Sequence, residues 1–267
     1  MLRTRIITAA VLIAVLLIVV LWLPPIATVA ALTLVVLAGA WEWSAFLRSP
    51  LVLVRVGYVG LIAMLLPLSW LLTAQEGART LVLSFAVLWW IVAIAWIVFA
   101  PQRASRSSAA LAGICALVPA WVALVRLRVD LPRGPEWMLF VLLLVWVADI
   151  GAYFVGRRFG RRRLAPAVSP GKTWEGAIGG TAASALVAVA GSEWLNVPVT
   201  LFVPLCLIAV GFSIVGDLTE SLLKRYAGLK DSGTLFPGHG GVMDRIDSIT
   251  GAAPVLFLGL IALGVAP

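Results

Sequence analysis

Asp217, Glu220, Ser221 and Lys224 stand at i, i+3, i+4 and i+7, and Asp244, Asp247 and Ser248 at i, i+3 and i+4. Each set therefore forms one stripe of a helix. Hard oxygen ligands converging from two helices suit Mg2+, which is commonly held by one or two carboxylates together with substrate phosphates. The runs beside these stripes carry the complementary charge. Residues 157–173 read RRFGRRRLAPAVSPGKT, with five Arg, one Lys and no acid. Ser169, Lys172 and Thr173, with Glu175 and Gly176 leading into a helix, make a phosphate cradle at a helix N-terminus. They do not form a Walker A loop, because the glycine that pattern needs is replaced by Pro166. Residues 224–241 read KRYAGLKDSGTLFPGHGG. Lys224, Arg225 and Lys230 can meet phosphate oxygens, and glycines such as Gly240 and Gly241 let backbone N–H groups approach a ligand. His239, the chain's single histidine, sits between glycines near Asp244 and suits a substrate or metal role. The plainer reading of the acids is that they pair with Lys224, Arg225 and Arg245 to make burial tolerable; it accounts less well for the whole set.

Elements that hold charges this way must be membrane helices. Of 267 residues, 62% are hydrophobic and 12% charged, with mean hydropathy +1.08. So little polar surface excludes a soluble globule, a disordered chain and a fibrous protein. The formal charge of +8 is divided among short loops, which fits topology better than nucleic-acid binding. About nine apolar runs are long enough to span, at 6–23, 26–47, 51–73, 80–100, 109–125, 137–155, 177–194, 198–220 and 242–264. The expected fold is an all-α polytopic integral membrane protein with the first run retained as a helix. Residues 1–136 form a scaffold of about five helices, and residues 137–267 a catalytic region with two cytoplasmic motif loops. With a cytoplasmic N-terminus, 14 loop cations fall inside against four outside, Arg79, Arg126, Arg128 and Arg133. Arg55 and Arg245 are left within segments. In this orientation Asp149, Asp217, Glu220, Asp244 and Asp247 share one layer near the cytoplasmic headgroups. Cys115 and Cys206 lie in apolar runs and read as core filler.

The run from Ser221 to Asp247, SLLKRYAGLKDSGTLFPGHGGVMDRID, resembles the signature of the phosphatidate cytidylyltransferases, or CDP-diacylglycerol synthases. Ser169–Gly176, Asp149 with Tyr153, and Gly216-Asp217 are similar to the same family, so the resemblance covers roughly residues 145–250. It implies a dimeric, many-helix membrane enzyme joining CTP to phosphatidate, releasing pyrophosphate and requiring a divalent metal, Mg2+, with room for a second, monovalent cation such as K+. The residues accept that chemistry. The lipid phosphate is already an anion and needs no strong base, so catalysis rests on positioning and charge stabilisation. Asp217, Asp244 and Asp247 are the expected metal ligands, with Asp149 and Glu220 in support. Lys172, Lys224, Arg225, Lys230 and Arg245 are expected on phosphates, Ser169 and Thr173 on the triphosphate or lipid phosphate, and Ser221, Gly240 and Gly241 against substrate. The expected location is a bacterial plasma membrane with the site facing the cytoplasm, and no nucleic acid as partner.

Three rivals stay open at this point. A CTP-dependent polyprenol kinase would release CDP. An ion-coupled transporter also places acids in helices. A structural lipid-binding scaffold would not need the acids.

Overall fold

The computed structural model describes residues 2–235 and 240–267, with side chains described for Thr8 and from residue 10 onward; His239 lies outside the described residues. Among the described residues nine α-helices follow in order: α1 (Leu2–Leu21), α2 (Pro25–Trp43), α3 (Val52–Leu72), α4 (Glu76–Phe99), α5 (Arg106–Val129), α6 (Gly134–Phe159), α7 (Trp174–Leu195), α8 (Val199–Ala227) and α9 (Met243–Ala262). Between α6 and α7 stand two short strands, β1 (Arg163–Ala165) and β2 (Ser169–Thr173). Eight of the helices, α2 to α9, are long and apolar enough to cross a membrane, and Ala10–Leu21 within α1 is a shorter apolar helix. The chain is an all-α polytopic membrane protein, as its apolar runs predict.

Local signals set the helix ends. Pro25 opens α2 with its φ preset. Ser105 caps α5 in a reciprocal box with Ser108. The Thr173 hydroxyl accepts from Gly176 N at the start of α7. Asn196 and Gly228 end α7 and α8 in the left-handed conformation. Two boundaries matter for function. α6 runs on to Phe159 and α8 to Ala227, past the expected 155 and 220. Lys224 therefore rides on the helix stripe that its spacing implies, and Arg225 follows it on the helix instead of in a loop. The Ser169–Thr173 run is also not a free loop. It is a strand, paired antiparallel with β1.

Burial separates inner from outer helices. In α5 and α9, 72% and 67% of the most apolar window is buried, against 22% in α3. α5 and α9 are the centre, and α3 and α4 turn side chains such as Leu53, Leu81 and Phe99 outward to lipid. α6 packs on α7, α7 on α8, and α8 on α9, while α5 joins α9 to the N-terminal helices.

The helix ends remote from the acids hold a buried arginine network. Arg79 Nη1 donates to Asp130 Oδ2 at 3.1 Å and to the Pro267 carbonyl at 2.8 Å. Arg126 donates to the Trp70 carbonyl at 2.8 Å, pairs with Asp130 at 3.3 Å and stacks over the Trp70 ring. Arg128 donates to the Leu23 carbonyl at 3.0 Å. Three of the four cations assigned to outer loops are thus buried staples between helix ends. Only Arg133, ion-paired to Glu136, remains as a loop charge on that side.

Candidate functional site

α8 and α9 cross where glycines meet backbone. A Cβ on Gly216 would come within 2.5 Å of the Asp247 carbonyl oxygen, and one on Gly251 would collide with the Phe212 carbonyl. Without side chains between them, two membrane helices approach closely. Asp217, beside Gly216, and Glu220, a turn further along α8, become electrostatic neighbours of Asp247 on α9. Asp149 on α6 joins them, beside Ser248 and near Asp217, Lys172 and Arg245.

Two lysines enter this acid cluster. Lys172, carried in by β2, forms an ion pair with Asp217, whose second oxygen accepts from Ser221 Oγ at 3.3 Å. Lys224 Nζ lies 2.7 Å from both Glu220 Oε2 and Asp244 Oδ1, tying α8 to the first turn of α9. Glu220 is fully buried against Asp247, and among the described residues its Oε1 has no other donor in hydrogen-bond geometry. Five carboxylates here face three cations, Lys172, Lys224 and Arg245, which leaves a formal surplus of two negative charges. Glu220 and Asp247 are the buried members of this set, and a buried charge is costly unless a cation offsets it.

The first turn of α9 is organised by carboxylates. Asp244 Oδ2 accepts from Gly241 N at 2.8 Å, Ser232 N at 3.0 Å and Ser232 Oγ at 2.9 Å. Glu42, from the end of α2, accepts from Val242 N at 3.0 Å through Oε1 and from Met243 N at 2.8 Å through Oε2. Motif spacing did not single out Glu42. The available signal was a lone acid inside the apolar run 26–47, since ionisable groups at membrane depth default to function.

A cavity of about 650 Å³ opens against this cluster, between α6, α7, α8, the start of α9 and the hairpin. Asp149, Asp217, Asp244, Asp247, Lys172 and Thr173, all expected site residues, line it. So do Arg157 and Arg163, which belong to the basic run 157–173 but were given no individual site role. Arg157 Nη1 donates to the Tyr153 hydroxyl at 3.0 Å; its place one turn after Tyr153 and two after Asp149 on α6 was the available signal. Glu220, Ser221 and Lys224 stay off the cavity wall but contact the acids that line it. Thr173 spends its hydroxyl on the α7 cap, and the Gly241 N–H goes to Asp244. Ser169 sits at the far end of β2, and Arg225 and Lys230 are exposed away from the wall. Arg245 is exposed beside Asp149, and Gly240 takes a φ of +77° next to the Asp244 carboxylate.

The donor set fits a hard divalent cation in type and charge. Among the described residues no three His, Cys, Asp or Glu side chains are gathered on one point, so the protein does not enclose an ion by itself.

The sequence profile of the Cytidylyltransferase family matches residues 3–262, well beyond the 145–250 stretch that carries the motifs. A phosphatidate cytidylyltransferase of Haemophilus influenzae is 39% identical over 279 residues, covering 95% of this chain and 96% of the relative. One from Pseudomonas aeruginosa is 41% identical over 86% of both chains, and one from Brucella suis 47% identical over 49% of both. A match over the whole helical bundle, together with acids and lysines gathered at one cavity, places the chain in the cytidylyltransferase family.

Proposed function

We propose that the protein transfers a cytidylyl group from CTP to phosphatidate, giving CDP-diacylglycerol and pyrophosphate. The observation that carries this reading is the cavity itself. It joins four aspartates, Lys172 and two arginines at the ends of membrane helices, where a lipid phosphate and a nucleotide can both reach. A phosphate oxygen of phosphatidate attacks the α-phosphorus of CTP, and the bond to the β-phosphate oxygen breaks as pyrophosphate leaves. No proton must be removed from the nucleophile, so the principal barrier is repulsion between two anions. Lys172 and Lys224 relieve that repulsion by moving from carboxylate to phosphate oxygens, a short transfer for a flexible ammonium. Arg157 and Arg163 at the cavity wall add charge for the triphosphate or the lipid headgroup.

Asp217, Asp244 and Asp247 are the ligands proposed for Mg2+, with Asp149 and Glu220 in support and a second, monovalent cation as a further expectation. When bound, the metal supplies Lewis-acid neutralisation of the reacting phosphates. The carboxylates' own part is to stay in place, which the hydrogen bonds of the α9 first turn support for Asp244. The balance of loop cations supports a cytoplasm-facing site in a bacterial plasma membrane, and a homodimer belongs to the same reading. The test is incubation of purified protein with α-labelled CTP, phosphatidate and Mg2+. Labelled CDP-lipid with free pyrophosphate is expected. CDP with a phosphorylated lipid would make it a kinase, and no turnover would favour a transporter or scaffold.

A further inference from the structure

Helix α9 begins without a cap of its own. Val242, at its N-cap, is in the αR conformation and offers no side-chain acceptor. The N–H groups of a first turn need partners, the more so when buried. They find them in Glu42, 200 residues away in sequence, whose carboxylate accepts from Val242 N and Met243 N. Glu42 is only 7% exposed. Its helix end is fixed in turn, since Trp43 Nε1 donates to the Ala109 carbonyl at 2.8 Å and Tyr58 Oη to that of Ala110 at 3.0 Å, anchoring α2 and α3 to the central α5.

The pocket around Glu42 is made to measure. A Cβ on Gly233 would come within 2.6 Å of the Glu42 carboxyl carbon, and one on Gly241 within 2.5 Å. Two glycines of the loop before α9 therefore make room for a carboxylate of the protein itself. Ser232 links that carboxylate to the site. Its Oγ lies 2.9 Å from both Glu42 Oε2 and Asp244 Oδ2. One hydroxyl proton cannot serve both at once. With Glu42 holding Val242 and Met243, Asp244 keeps Gly241 N and Ser232 N on Oδ2 and turns Oδ1 to Lys224.

We propose that Glu42 is a positioning residue for the transfer: it fixes the first turn of α9 and, through Ser232, the orientation of the Asp244 carboxylate at the cavity. This rests on the cytidylyl-transfer reading for its kinetic consequence only. Glutamine at 42 offers one acceptor oxygen and turns an NH2 group toward a backbone N–H. Aspartate is a methylene too short to reach. Neither replaces the carboxylate, so both variants loosen the first turn of α9, which carries Asp244.

The experiment compares wild type, Glu42→Gln, Glu42→Asp and Ser232→Ala in lipid nanodiscs, with Glu76→Gln, an exposed acid at the remote end, as control. Glu42→Gln and Glu42→Asp are expected to lower kcat per folded protein by about 10- to 100-fold. The KM values for CTP and phosphatidate should move by less than about threefold, since the lost interaction acts on the reacting geometry. Ser232→Ala should fall between, and combining it with Glu42→Gln should add little, as for residues acting as one unit. Two readouts need no turnover. Amide hydrogen exchange over Gly241–Asp244 should accelerate in Glu42→Gln, and Mn2+ bound with CTP, followed by electron paramagnetic resonance, should weaken by about tenfold. A Glu42→Gln protein with wild-type kcat and only a lower unfolding midpoint would overturn the proposal and leave Glu42 a structural cap. Unchanged exchange together with unchanged Mn2+ affinity would overturn it as well, even if the wild type proved to make no CDP-lipid, an outcome that sinks the transfer reading alone. If the Glu42 variants do not fold, Ser232→Ala decides: unchanged kcat and Mn2+ affinity overturn the proposal.

Discussion

Replacing Lys224 by alanine tests the charge balance of the site most directly. Its ammonium is 2.7 Å from Glu220 and 2.7 Å from Asp244, with 13% of the lysine side chain exposed and none of Glu220. At an effective dielectric constant of about 20, each contact carries roughly 6 kcal/mol of Coulomb attraction, most of it cancelled by the desolvation of the partners. Removing one partner does not recover that desolvation. It leaves Glu220 charged, buried and unpaired, and measured losses of this kind run to about 3–5 kcal/mol. Asp244 contributes less to the loss, because Gly241 N and Ser232 N still donate to it. For a chain of this size about 3 kcal/mol shifts an unfolding midpoint by roughly 6–12 °C. The assay is thermal unfolding in detergent beside the rate of CDP-lipid formation. Lys224→Ala should lose both stability and turnover. Glu220→Gln combined with Lys224→Met removes the two charges together and should regain most of the stability while turnover stays low. If the double variant is no more stable than the single one, the two residues do not neutralise each other. If Lys224→Ala keeps both properties, its place in the site is wrong.

Asp217→Asn should abolish transfer without unfolding the protein, since the amide keeps the volume and the Ser221 contact but cannot hold a cation; near-normal rates would remove Asp217 from the ligand set. Chelation of divalent metal should stop turnover, and Mg2+ should restore it. Gly216→Val should disable the enzyme by forcing α8 away from the Asp247 backbone, a distortion visible as lost activity with helix content retained. In a background lacking Cys115 and Cys206, cysteines at Arg162 and at Arg133 should react with an impermeant thiol reagent from opposite faces, Arg162 from the cytoplasmic one. Reaction of both from one face would break the topology.

The helical plan was legible because bilayer depth demands long apolar runs, and these stood out at nine places in the chain. Helix ends were less legible. α6 and α8 continue past their apolar stretches as polar helix, where hydropathy drops but helical periodicity does not, so Arg225 looked like a loop residue. The hairpin was hidden for another reason. Pro166, Pro170 and Gly171 read as loop punctuation, and a two-stranded pairing of so few residues has no strong alternation to betray it. Of the site, the stripes on α8 and α9 were readable from spacing alone, because i, i+3 and i+4 fix a helix face whatever the fold. The buried arginines were misread because loop counting takes charge at its sequence position, while Arg79, Arg126 and Arg128 fold back onto carbonyls and Asp130. Glu42 was out of reach of any local pattern. Its partners are the backbone N–H groups of Val242 and Met243, which carry no residue identity for spacing to register. What the sequence did contain was the complement of that carboxylate: Gly233 and Gly241, positions where a side chain has no room. Glycines beside an acid cluster thus have two readings, room for a ligand's phosphate or room for the protein's own carboxylate, and only the packing of α2 against the start of α9 separates them.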